Sequence, residues 1–155
     1  MHNQRRSALK KLAASLAGFT GFSLFQKAQA TAVDEDQHRS GNITYNQEVP
    51  LFSGHTIHNG LVYIAGKGAH FEGDIKAHTL HVLKELETEL KKAGSSMEKV
   101  LKVNVYLNDI ADYQGMNEAY KGKFGNKPPV RTTVAVARGG VPGNSLVEMD
   151  CIAYL

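Results

Sequence analysis

Cysteine is nearly absent from this chain. Cys151 is the only one among 155 residues, so no intramolecular disulfide can form. It lies in the apolar run Leu146–Ala153 with no histidine near it in sequence, which favours an inert core thiol over a nucleophile. A His-Glu-x-x-His helix and a cysteine pair are both missing. His55, His58, His70, His78 and His81 therefore have no third and fourth partner in zinc spacing, and no metal site is expected. Gly-x-Ser-x-Gly is missing as well, which removes the usual serine-hydrolase layout. The run Gly139-Gly140-Val141-Pro142-Gly143 lacks the Lys-Ser/Thr of a phosphate-binding loop and reads as a connection between two strands. No stretch is apolar for the ~20 residues that span a bilayer. Repeats, low-complexity tracts and internal linkers are also missing.

The excess of positive charge is confined to the first 30 residues. Met1–Lys11 is basic, Leu12–Phe25 is moderately apolar, and Ala28-Gln29-Ala30 is a small-x-small cleavage signal. Arg5-Arg6 followed by Leu9-Lys10 has the look of a twin-arginine export signal. Residues 1–30 are expected to be removed, leaving a periplasmic or otherwise exported protein with no stable membrane insertion. The full chain has 18 Lys and Arg against 15 Asp and Glu; removal takes five bases and no acid, leaving 13 against 15 and a net charge of −2. A slightly acidic domain offers no electrostatic footprint for nucleic acid.

Residues 31–42 are polar and acidic and read as a flexible linker to a domain over 43–155. Ile43–Tyr45 is a short strand. Asn59-Gly60 between β-prone runs predicts a hairpin. Asp74–Ala93 carries Ile75, Thr79, Val82, Leu83, Leu86, Leu90 and Ala93 at helical spacing, and its charged residues, Glu89 included, fill the opposite face. Val100–Leu107 alternates as a strand. A second helix starts near Asp109 or Asp112 and runs to about Phe124. Pro129–Ala137 and Leu146–Ala153 are the final strands. The order β-β-β-α-β-α-β-β implies an α+β domain with both helices on one face of a mixed sheet. The other face then needs a cover, and oligomerisation is the available one.

Arg131 and Glu148 stand in these last two strands, where charge is poorly placed. A carboxylate in so apolar a strand is exposed, paired or functional. On adjacent strands the two residues can line one pocket, the Arg gripping a carboxylate and the Glu handling a proton or a water. A subunit-interface salt bridge or exposed strand ends would account for them equally.

From about Val49 to Ala153 the chain resembles the RidA (reactive intermediate deaminase, YjgF) family. The stretches that carry the likeness are Gly60–Gly66, Leu90–Gly94, Val100–Leu107, Asp112–Tyr120, Pro129-Val130-Arg131-Thr132-Thr133-Val134 and Val147-Glu148-Met149. The resemblance implies a chorismate-mutase-like homotrimer with a central barrel of sheets, helices outside, and active sites in clefts between subunits. It implies hydrolysis of 2-imino and 2-enamino acids to 2-keto acids and ammonia, without metal or cofactor. It makes Arg131 the carboxylate anchor and Glu148 the residue that positions water and shuttles protons. Asn117, Tyr120, Phe52, Thr133 and the Gly66 backbone match positions near the family's cleft. Many deaminating members have Tyr at Phe52, Ser at Ala65 and Cys at Thr133. Phe52 and Ala65 remove two hydroxyls, which points to altered substrate preference, or to a small-carboxylate-binding protein of the same fold without turnover.

Overall fold

The computed structural model describes residues 38–155. The export-signal assignment and the linker as far as Gln37 lie outside the described residues. The elements are β1 (Arg39–Asn46), β2 (Val49–His58), β3 (Leu61–Gly68), α1 (Ile75–Lys92), β4 (Val100–Leu107), α2 (Tyr113–Tyr120), β5 (Val130–Ala135) and β6 (Val147–Tyr154). The domain is α+β, a six-stranded mixed sheet with two helices. β1 begins four residues inside the stretch read as linker. Its hairpin to β2 turns through Gln47 and Glu48, both at positive φ (49° and 67°), where no glycine or asparagine announces a turn. The β2–β3 turn is the expected Asn59-Gly60, with φ of 49° and 76°.

The sheet runs β1-β2-β3-β6-β4-β5, all neighbours antiparallel except β4 and β5. The crossovers β3-α1-β4 and β4-α2-β5 both step the same way along the sheet. Right-handed connections therefore lay both helices on the same face. β6 then inserts between β3 and β4. The two strands bearing Arg131 and Glu148 are thus not adjacent, since β4 separates them, and the loop 139–143 is a crossover over that strand.

Alternation sorts the two faces. Val103, Val105 and Leu107 of β4 and Val147, Met149, Cys151 and Ala153 of β6 are buried beneath the helices, against Val82, Leu83, Leu86 and Leu90 of α1. Lys102, Asn104 and Tyr106, with Glu148, Asp150 and Ile152, point to the helix-free face. Asp74 caps α1 by accepting from the Ala77 N–H at 2.8 Å, and Gly94 (φ 84°) ends it. Gly115 lets α2 lie close to α1, because a Cβ there would stand 2.6 Å from Ile75 Cγ2. α2 stops at Tyr120, short of Phe124. The chain turns through Gly122 and Gly125 at positive φ, and Phe124 folds back under the Tyr120 ring, centroids 4.9 Å apart. Leu86→Ala is expected to cost about 2–5 kcal/mol, read by chemical denaturation, since Leu86 is fully enclosed in this layer.

Glu89 departs from the sequence reading. It is buried, on the core side of α1 and not on the solvated face. It follows Leu86 by three residues and precedes Leu90, so it sits on the edge of the apolar stripe. Burial alone would raise its pKa. The His55 bond, the charge of Lys67, the Asn42 bond and the charge of Lys92 outweigh burial and hold the carboxyl below its ordinary value. The folded pKa is thus below the unfolded one of about 4.3. Its stabilisation is present above that pH and is lost as pH falls through the folded value. Urea titrations from neutral pH down to about pH 3 should show a shallower acid decline in Glu89→Gln than in the wild type.

Candidate active site

Arg131 occupies β5, the edge strand, in register with Val103 of β4. Val103 is fully buried on the helix side, and register partners share a face, so the Arg131 side chain rises toward α2. There Nη2 donates to Asn117 Oδ1 at 2.7 Å, and the guanidinium carbon stands 4.7 Å from the Tyr120 ring centre and 5.9 Å from that of Tyr113. Met116 Sδ lies 3.9 Å from Nη1. Among the described residues no carboxylate reaches ion-pair distance of Arg131. A half-buried guanidinium held by an amide oxygen and two ring faces keeps several N–H donors free. That suits it to an incoming anion.

Two hydroxyls beside it have no hydrogen-bond partner although their oxygens are buried: Tyr120 Oη and Thr133 Oγ1. Thr133 follows Arg131 by two residues, on the same strand face. Burial drives the Tyr120 phenol up to about 12, against the opposing pull of Arg131. It is a neutral donor throughout the working range.

Glu148 is on the other side of the sheet. It pairs in register with Tyr106 of β4 and Gly68 of β3, on the helix-free face. Its carboxylate lies over Gly66, where a side-chain methyl would overlap Oε1. The space exists because β3 bulges here, with Ala65 and Gly66 opposite the single Asp150. Tyr106, Val136, Gly140, Val141 and Pro142 complete a cavity of about 190 Å³ around Glu148. Burial first, then the charges of Asp150 and Glu148, hold the Tyr106 phenol above its ordinary pKa, so it stays protonated beside both carboxylates. Asn104 Nδ2 donates to Asp150 Oδ1 at 2.8 Å and fixes that neighbour.

The structure therefore brings Arg131, Asn117, Tyr120 and Thr133 together, and Glu148 and Gly66 together, but on opposite faces. Phe52 joins neither group. It is exposed on β2, with β3, β6 and β4 between it and Arg131. A single chain thus does not unite Arg131 and Glu148 in one pocket. Tyr113 and Tyr106 were not singled out as site residues by sequence. The signal for Tyr113 was its place one helix turn before Asn117; Tyr106 is marked only by its cross-strand register. Two histidines are buried among the described residues: His55, bonded to Glu89, and His78, whose Nδ1 accepts from Leu146 N–H at 3.1 Å and whose Nε2 donates to Phe71 O at 2.8 Å, tying the loop after β3 to the start of β6. Cys151 is buried, and its thiol is pushed up to about 12, chiefly by burial.

Known proteins agree with this architecture. Residues 44–155 match the family described as Endoribonuclease L-PSP. A RutC family protein of Pyrococcus abyssi is 39% identical over 101 residues, covering 61% of this chain and 78% of its own. Reactive Intermediate Deaminase A, chloroplastic, of Arabidopsis thaliana is 33% identical over 104 residues, covering 63% of this chain and 54% of its own. The crystal structure of a YjgF family member from Neisseria meningitidis superposes with a TM-score of 0.66 at 26% identity, covering 76% of this chain and 93% of that one. The chain belongs to the Endoribonuclease L-PSP family, the group that also carries the names RidA and YjgF.

Proposed function

We propose that the protein hydrolyses 2-imino and 2-enamino acids to 2-keto acids and ammonia, with no metal or cofactor, at a site built between copies of the chain. The observation that carries this is Arg131: a half-buried guanidinium held by Asn117 and Tyr120, with no carboxylate partner among the described residues and two orphan hydroxyls alongside. Such a socket fits the carboxylate of a small acid. The relative named as a reactive intermediate deaminase supports the choice of substrate class.

In this reading Arg131 pairs with the substrate carboxylate, and Thr133 and Tyr120, their hydroxyl oxygens buried, form the floor of the socket beneath it. Asn117 holds the guanidinium in place. Glu148 takes a proton from water as its oxygen bonds to C2 of the protonated imine. The same proton then passes to the nitrogen of the tetrahedral adduct. The C2–N bond breaks, ammonia leaves, and the hydroxyl proton is released as the ketone forms. Arg131 and Glu148 reach one substrate only if one copy presents its helix-side edge to the helix-free face of another. That face carries exposed Tyr63 and Val134, apolar surface suited to burial. A homotrimer with helix-free faces inward meets both needs, with Phe52 and Gly66 as further walls. The net charge of −2 after removal of residues 1–30 supports a small-molecule partner and not nucleic acid. The Arg5-Arg6 signal supports export to the periplasm.

The test is the protein from Thr31 onward, incubated with imines generated in place by an amino-acid oxidase. Faster keto-acid release, and a trimer mass by light scattering, are expected. If keto-acid release is unchanged but a 2-keto acid binds through Arg131, the protein is a carboxylate-binding member of the family without turnover.

A further inference from the structure

β2 pairs with β3 only over His55–His58, whereas it pairs with β1 over Val49–Ile57. Residues 42–54 therefore leave the sheet as a two-stranded ribbon. Such a ribbon is marginal by itself. It exposes Ile43, Tyr45, Val49, Leu51 and Phe52. Glu89 of α1, buried, stands at the point where the ribbon leaves. Its Oε2 accepts from Asn42 Nδ2 of β1 at 2.8 Å, and its Oε1 accepts from His55 Nδ1 of β2 at 2.7 Å. Lys67 of β3 (3.8 Å) and Lys92 of α1 (3.5 Å) supply the balancing charge. The backbone is cut to fit. Asn42 adopts φ 52°, a Cβ at Gly54 would stand 2.7 Å from Glu89 Oε1, and one at Gly41 would overlap the His55 ring.

A carboxylate in an apolar layer is an expensive way to fill space, since apolar residues of like volume are often neutral or stabilising there. What it supplies is direction. One carboxylate ties the roots of both ribbon strands to the helix across the sheet. We propose that Glu89 is a clamp that sets the angle and rigidity of the β1–β2 ribbon, so that its apolar side chains, Phe52 among them, meet a second copy of this chain. The destination of the ribbon rests on the assembly proposed above; the clamp itself does not.

Hydrogen–deuterium exchange of the assembled protein tests it. In Glu89→Gln, amides of residues 42–54 should exchange at least about tenfold faster, the scale of one charge-assisted hydrogen bond. Those of α1, β4 and β6 should accelerate by a clearly smaller factor, the one set by the loss of global stability that urea reads. Asn42→Ala, which frees the β1 root without removing a charge, should do the same and decides the matter if Glu89→Gln does not fold. Ribbon exchange unchanged in Asn42→Ala, or acceleration spread evenly over the domain, overturns the clamp. Sedimentation of the wild type as a monomer overturns the destination and the assembly reading, while the exchange comparison still judges the clamp.

Discussion

Arg131→Ala is expected to abolish turnover and to weaken 2-keto acid binding by about 2–5 kcal/mol, the range seen when one member of a buried charge pair is truncated. The loss has two sources. The substrate carboxylate gives up a paired set of N–H donors, and it must still be desolvated to enter the socket. Arg131→Lys should recover little. An ammonium can take one oxygen of the carboxylate, but it cannot lie flat on the Tyr120 ring, hold Asn117 Oδ1 and present a two-pronged edge together. Folding should be nearly untouched, because Arg131 sits on the edge strand and among the described residues has no carboxylate left behind when it goes. Calorimetric titration with a 2-keto acid, beside a thermal melt, separates the two effects. Wild-type turnover in the Ala variant would reduce Arg131 to a residue of β5 that packs against α2.

Much of this was legible in the sequence. The eight elements appear in the expected order, because Asp74, Gly94, the Asn59-Gly60 turn and the alternation of Val103, Val105 and Leu107 are local signals. What was not legible is what register decides. Nothing in the order of strands shows β6 slipping between β3 and β4, so Arg131 and Glu148 read as neighbours when a strand separates them. Their opposite faces follow from pairings to Val103 and Tyr106, which no local pattern contains. The β1–β2 hairpin was cut short because Gln47-Glu48 lacks the usual turn residues. Glu89 was assigned to solvent on its charge, although its spacing from Leu86 and Leu90 already placed it beside the apolar stripe. Asn117 and Tyr120 came out beside Arg131, since one helix turn and one strand suffice to bring them there.

Glu148→Gln is expected to separate catalysis from binding. Gln keeps the size and reach of the side chain but cannot accept the proton from water, and general acid–base help is typically worth about 10²- to 10⁴-fold. Turnover should fall by that order. Affinity for a 2-keto acid, which depends on Arg131 across the opposite face, should change little. Gly66→Ala provides an independent approach to the same group. Its methyl would overlap Glu148 Oε1 and displace the carboxylate without altering its charge. If Glu148 acts by position, this variant should lose turnover while retaining keto-acid binding, as Glu148→Gln does. If both variants turn over imines at the wild-type rate, Glu148 has no proton role. The chemistry would then have to come from the Arg131 face alone, where Tyr120, held protonated, can donate a hydrogen bond but cannot serve as a base.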